Sequence, residues 1–239
     1  MRSGVLRLGG LLVSLSLVGY ASDSSGPVAP VRAPGDVPVL LVPGWLETAR
    51  DLAALRIHLL GAGWPSTHVA TITFSDPAGS NRDHAEEIDV AIADLIQRTG
   101  VAEIDVVAHS MGGLATRWYL RSHSDVPVRR VVFIGSPHRG TLSAHLAWGR
   151  GRAEMMPGSA FLDSLNADGS VPEGVAAITI RTAIDTHVVP GESATLPGIP
   201  DHKVCCPTHA GLLHDQDVFS IVRGYLADDH PERSLRPPF

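Results

Sequence analysis

Residues 104–115 read IDVVAHSMGGLA. An apolar run stops at a small residue. A histidine, a serine, a methionine and two glycines follow before a helix-like pattern begins. Ala108-His109-Ser110-Met111-Gly112 fits the strand-to-helix corner G-x-S-x-G, with alanine in the place of the first glycine. In such a corner the serine sits at the apex, in a strained backbone conformation, with its hydroxyl exposed. The residues two before and two after it come close and must be small; one methyl fits, a leucine would not. The helix that follows points its N-terminus at the serine, so its partial positive charge and free N–H groups favour an oxyanion there. Ser110 is thereby a candidate nucleophile. The plainer alternative is a helix N-cap serine; the preceding strand, the following helix, His109 and the double glycine weigh against it. A serine hydroxyl is a poor nucleophile alone. It needs a base, and the base needs an acid to orient it.

The flanking chain supplies elements that can hold such a corner. Val39 to Val42 reads as a buried strand by its continuous apolar character, and Ile104 to Ala108 as another. Leu52 to Gly61 has helical spacing, broken by Gly63-Trp64-Pro65. Val69 to Phe74 alternates like a strand, and Asp83 to Thr99 is a long helix with Ile88, Ile92, Leu95 and Ile96 on one face. Leu114 to His123 continues as a helix, Val131 to Ile134 and Val175 to Ile184 are strands, Val204 to Cys206 is a short one, and Val218 to Leu226 is a closing helix. Strand and helix in turn predict an α/β fold: a mostly parallel sheet with helices on both faces. Ligands on such a sheet sit beyond the carboxyl ends of the strands.

The segments PVLLVPGW, DVVAHSMGG, FIGSPHRGT, AID and THAGLL occur in this order. On them the chain resembles bacterial secreted serine lipases and esterases of the α/β-hydrolase fold, most of all the small AHSMG type. The resemblance runs from Val39 to about Leu226 and implies that fold with a minimal or small cap. It also implies an oxyanion hole made by the N–H of Met111 and one from the loop after the first strand. Pro43-Gly44-Trp45 matches that loop, usually written H-G-x, so the second donor is Trp45 N–H; proline in the place of histidine leaves the donor untouched but bears on how the loop is held. Pro-Gly also reads as a plain turn. The expected chain order is serine, then acid, then histidine. Asp185 ends an apolar strand, where the acid belongs, whereas Asp163, Asp168 and Asp201 lack a preceding strand. His209 matches the family's G-H-x-G-L-L ending; its rivals are His187, His202 and His214. His138, in Gly135-Ser136-Pro137-His138-Arg139-Gly140, is expected to be structural. The implied activity is hydrolysis of a carboxylic ester through an acyl-enzyme, with a lipase first. A short-chain esterase, a polyester depolymerase and a non-catalytic binding protein on the same fold remain alternatives.

Thr141 to Gly174 is long for one connection and rich in apolar residues. It reads either as a partial cap whose apolar side meets an acyl chain or as ordinary core; Gly149, Gly151 and Gly158 are compatible with motion. Leu46, Leu142 and Leu146 are the expected substrate contacts. Cys205 and Cys206 are adjacent. Neighbouring Cα atoms across a trans peptide lie about 3.8 Å apart, short of the usual disulfide range of about 4.4–6.8 Å. On a strand the two would face opposite ways. Two buried thiols are therefore expected, with a vicinal disulfide beside the His209 loop as the alternative. No metal and no cofactor are expected.

With 239 residues, 44% of them hydrophobic, the chain makes one sizeable domain. A net charge of −6 excludes the basic surface that nucleic-acid binding requires. Arg2 and Arg7, the apolar run Leu8 to Val18 and the small-residue ending Gly19-Tyr20-Ala21 read as an export signal, with an N-terminal anchor as the alternative. Cleavage after Ala21 would remove two arginines and no acid, taking −6 to −8. The expected organisation is a signal over 1–21, a disordered leader over 22–36, the catalytic domain over 37–227 and a flexible tail over 228–239. The expectation is a secreted monomer that meets an ester or lipid substrate, including one at a lipid–water interface, with no permanent membrane anchor and no nucleic acid.

Overall fold

The computed structural model describes Met1 and residues 35–228, apart from 168 and 170. The expected signal, nearly all of the leader, the tail beyond Asp228 and the rival acid Asp168 lie outside the described residues. The fold belongs to the unit of residues 32–239. Its strands are β1 (Val39–Val42), β2 (Val69–Thr71), β3 (Ile104–His109), β4 (Val128–Ile134), β5 (Ala176–Thr182) and β6 (Asp201–Val204). They form one sheet in the order β2-β1-β3-β4-β5-β6, parallel throughout. The helices are α1 (Ala53–Gly61), α2 (Asn81–Thr99), α3 (Gly112–Ser122), α4 (Gly149–Met155), α5 (Ala160–Asn166) and α6 (Gln216–Ala227).

Covering both faces explains the continuous apolar run of β1 and the apolar stretch 106–108 of β3; both strands are buried along their whole length, including Asp105, which pairs with Arg129. Val39, Leu41 and Val107 pack on one side with Leu55 and Leu59 of α1 and Val218 and Val222 of α6. Leu40, Val42, Val106 and Ala108 pack on the other with Ile88 and Ile92 of α2 and Ala115 and Tyr119 of α3. Successive side chains of a strand point to opposite faces, so every residue of these runs has a partner layer. A third cluster joins Met111 and Leu114 to Met155, Phe161, Leu162 and Leu165 of the 141–174 segment.

Two expectations are corrected at the β6 end. The strand is Asp201–Val204, paired with Thr179–Thr182 of β5, and the cysteines lie beyond it. β6 is an edge strand with a polar sequence, Asp201-His202-Lys203, so a search for apolar runs passes over it. Cys205 and Cys206 are exposed and joined by a disulfide across a cis peptide bond, not held as two buried thiols. The expectation assumed a trans peptide on a strand, and neither condition holds there.

Candidate active site

The turns beyond the C-terminal ends of four strands converge. Gly44 and Trp45 follow β1, Ser110 follows β3, Asp185 lies beyond β5 and His209 beyond β6. Ser110 has a φ of 51°, in the left-handed region that costs a side chain energy. Its N–H donates to Ile134 O of the neighbouring strand at 2.8 Å, and its carbonyl accepts from Gly113 N at 3.1 Å, which starts α3. The corner is also tight on the side of the loop after β1. A Cβ at Gly112 would collide first with the Pro43 carbonyl and then with Val42 Cγ1. A Cβ at Gly44 would lie 2.7 Å from Ser110 Cβ. The small residues admit the loop after β1 to the serine.

His209 Nε2 stands 2.9 Å from Ser110 Oγ, and its Nδ1 stands 2.9 Å from Asp185 Oδ2. In the tautomer that satisfies both contacts, Nδ1–H donates to the carboxylate and Nε2 accepts the serine hydroxyl. The other Asp185 oxygen accepts the N–H groups of His187 at 2.8 Å and Val188 at 2.9 Å. Burial pushes the Asp185 carboxyl up, but the bond to His209, the imidazole's charge and these two N–H groups hold it below its ordinary value. Burial pushes His209 down from 6.5; Asp185 draws it back only in part, and His109 and His187 add to the lowering. The imidazole is therefore neutral and able to accept a proton at neutral pH.

Several backbone donors near Ser110 are in use. Gly44 N donates to Glu47 Oε2, Leu46 N to Pro77 O, Ser110 N to Ile134 O and Gly113 N to Ser110 O. Among the described residues, the N–H groups of Trp45 and Met111 have no hydrogen bond within the fold. Those are the two donors that the sequence assigned to an oxyanion.

Ser110 and His209 open into a cavity of about 390 Å³. Trp45, Leu46, Ala144, Leu146, Met155 and Val188 supply its apolar lining. Leu46 and Leu146 thus line the cavity beside Ser110. Leu142, the third expected contact, does not: it opens a short turn over Leu142–Leu146, with its N–H on Val189 O and its side chain exposed outside the cavity lining. The 141–174 segment divides between its two readings. Ala144, Leu146 and Met155 reach the cavity, while Phe161, Leu162 and Leu165 are core.

The rivals fall elsewhere. Asp201 binds Thr179 and Arg181, Asp163 is exposed on α5, His202 lies on β6 and His214 ends the turn over Ala210–His214. His138 is fully buried edge-on to Phe133, and burial, with Arg117 and Arg139 nearby, holds it neutral, well below its ordinary value. Two residues escaped the sequence reading. His187, weighed there only as a base, stacks on His209 with ring centres 4.8 Å apart. Its carbonyl accepts from Thr141 Oγ1 at 2.7 Å and from Ser143 Oγ, which stitches the Asp185 turn to the start of the cap segment. Glu47 carried no signal beyond its place three residues after Gly44. It binds Gly44 N and the His109 ring.

Residues 37–173 match the alpha/beta hydrolase fold family. The chain belongs to that family. Among solved structures it is similar to Aspergillus fumigatus lipase B, with a TM-score of 0.70 and 19% identity over 84% of this chain. It spans only 56% of that chain's length. It is also similar to the mature Bacillus licheniformis lipase BlEst2, with a TM-score of 0.69 and 15% identity, covering 81% of this chain and 93% of that one. A Listeria innocua gene product, lin2722, aligns with a TM-score of 0.63 and 16% identity over 81% of this chain and 94% of its own.

Proposed function

We propose that this chain is a serine carboxylic-ester hydrolase, and first of all a lipase for acylglycerols or other apolar esters. The observation that carries the reading is the relay Asp185–His209–Ser110, closed by two contacts of 2.9 Å, at the mouth of a largely apolar cavity. Ser110 Oγ attacks the ester carbonyl while His209 Nε2 takes its proton. Asp185 holds the ring and stabilises the imidazolium. The free N–H groups of Trp45 and Met111 receive the oxyanion, with the N-terminus of α3 behind them. His209 then protonates the leaving alcohol, and a water repeats the two steps on the acyl-enzyme. The lining residues include no arginine and no lysine, which suits a neutral ester better than an anionic one. The lipases named above lend the reading support by their likeness.

Hydrolysis of p-nitrophenyl esters from acetate to palmitate, with Ser110→Ala as control, tests it. Rates that rise toward long chains and vanish in the variant support a lipase. Rates confined to short chains make the enzyme an esterase, and no variant-sensitive rate on any chain length sinks the reading. Export of the mature chain after Ala21 belongs to the same proposal. The intact mass of protein recovered from a culture medium checks it.

A further inference from the structure

Glu47 sits in the turn after β1, three residues past Gly44, and its carboxylate faces inward. Oε2 accepts Gly44 N–H at 2.6 Å. The same group meets His109 Nδ1 at 2.7 Å through Oε1 and 2.8 Å through Oε2. His109 is the last residue of β3, with its ring fully buried. Its Nε2 lies 3.3 Å from the backbone carbonyl of His209, and the two rings are 4.7 Å apart. One carboxylate and one imidazole therefore tie together the loops after β1, β3 and β6. Those loops carry the Trp45 N–H, Ser110 and His209.

We propose that Glu47 and His109 are a positioning pair that holds the Trp45 N–H against Ser110 by locking the loop after β1 to the end of β3 and to the backbone of His209. The inference rests on the acyl-transfer reading of Ser110. The loop after β1 has Pro43 before Gly44, and proline has no N–H to donate, so the anchor must come from elsewhere. A hydrogen bond to a carboxylate is stronger than one between neutral groups, and this carboxylate makes one to each side of the gap. Both nitrogens of His109 face oxygens that only accept, a carboxylate and a carbonyl. The pair makes no hydrogen bond to Ser110 Oγ, whose partner is His209 Nε2. It acts by fixing a donor in a place where its geometry counts only in the transition state.

The test compares Glu47→Gln and Glu47→Ala with wild type in kcat and KM on a p-nitrophenyl ester, in the rate of Ser110 labelling by a fluorophosphonate, and in melting temperature. Phosphonylation also develops negative charge on an oxygen in the oxyanion site. The expected result is a kcat lower by about 10–100-fold, less than the 10²–10³ of a deleted donor. KM changes little, and labelling slows in parallel. Glu47 borders the cavity, so formate can enter the Glu47→Ala site and restore part of kcat while leaving wild type unchanged. Variants whose kcat and labelling stay within twofold of wild type overturn the inference. So does a loss of activity that tracks melting temperature, with KM rising and no formate rescue. If wild type labels but hydrolyses no ester, the ester reading fails, and the labelling rates still decide on Glu47. If wild type neither labels nor hydrolyses, both fall.

Discussion

Gly44→Ala puts the close approach of the loop after β1 to a number. The added Cβ would sit 2.7 Å from Ser110 Cβ and 2.9 Å from Glu47 Oε2, where ordinary contacts begin at 3.4 Å and run to 4 Å. Either the serine or the loop must move by about 0.7–1.3 Å to reach ordinary contact, and a misplacement of about 1 Å costs on the order of 10²-fold in rate. Ser110 is held by its N–H on Ile134 O within the sheet, so the loop gives way and carries the Trp45 N–H with it. A 10²-fold loss is about 2.7 kcal/mol of transition-state stabilisation, at the lower edge of what deleting one oxyanion donor costs. The loss should fall on kcat, since the donor is used by the charged intermediate and not by the ground-state ester. The assay is steady-state hydrolysis of p-nitrophenyl butyrate beside fluorophosphonate labelling, on protein whose far-UV circular dichroism matches wild type. A variant within threefold of wild-type kcat would refute the placement of the oxyanion donor on this loop.

Asp185→Asn keeps the shape of the relay but turns an amide toward His209 Nδ1; kcat should fall by about 10³–10⁴-fold at neutral pH, read in the same assay. His209 must be neutral to act as base, and its pKa is lowered from 6.5, so kcat/KM should rise with pH through a midpoint below 6.5. His187 contributes to that lowering, so His187→Ala should move the midpoint upward; an unmoved or lower midpoint counts against the stacked pair as its cause. Cys205 and Cys206 are exposed, so tris(2-carboxyethyl)phosphine should raise the intact mass of the native protein by about 2 Da without prior unfolding. Leu146→Ser should leave the melting temperature unchanged, because the side chain is 87% exposed, while lowering the ratio of long-chain to short-chain hydrolysis.

What could be read from the chain without coordinates was whatever depends on local pattern. β1 and β3 were recognisable because burial on both faces demands largely apolar runs, interrupted in β3 by Asp105. α2 was recognisable by its period, though it starts at Asn81 and not at Asp83 because Ser80 Oγ accepts Arg82 N–H and caps it. Ser110 was legible because a corner constrains five consecutive residues. Asp185 and His209 needed chain order and the resemblance, since neither has a local signature of its own. Glu47 had none of these aids. Its partners are Gly44, three residues away, and His109, sixty-two residues away, and a glutamate in a turn reads as solvated surface until the loops are brought together. β6 failed for the converse reason: its pairing with β5 is made by backbone, which a polar sequence supports as well as an apolar one.

The cap segment shows how the same residue type serves opposite ends. Gly149, Gly151 and Gly158 were compatible with motion. In the fold the first two are pressed against the rest, whereas a Cβ at Gly158 would meet open space. A Cβ at Gly149 would collide with Ala78 O, and one at Gly151 would lie 2.6 Å from Met111 Sδ and 2.7 Å from Gly79 O. Gly151 N also donates to Ala78 O at 3.0 Å. Three residues on, Glu154 accepts from Ser80 Oγ and Asn81 N at 2.6 Å each and from Asn81 Nδ2 at 2.8 Å, so α4 supplies part of the cap of α2. Met111 is at once the residue after the nucleophile, a donor left free for the oxyanion and a neighbour of Gly151. A swing of α4 would expose the buried Met155, strip the N-terminus of α2 and disturb the packing of Met111. α4 is therefore a packed wall of the cavity, held at Gly149, Gly151 and Glu154. Removing it whole would test folding before it tested chain length, which is why the exposed Leu146 is the residue to change.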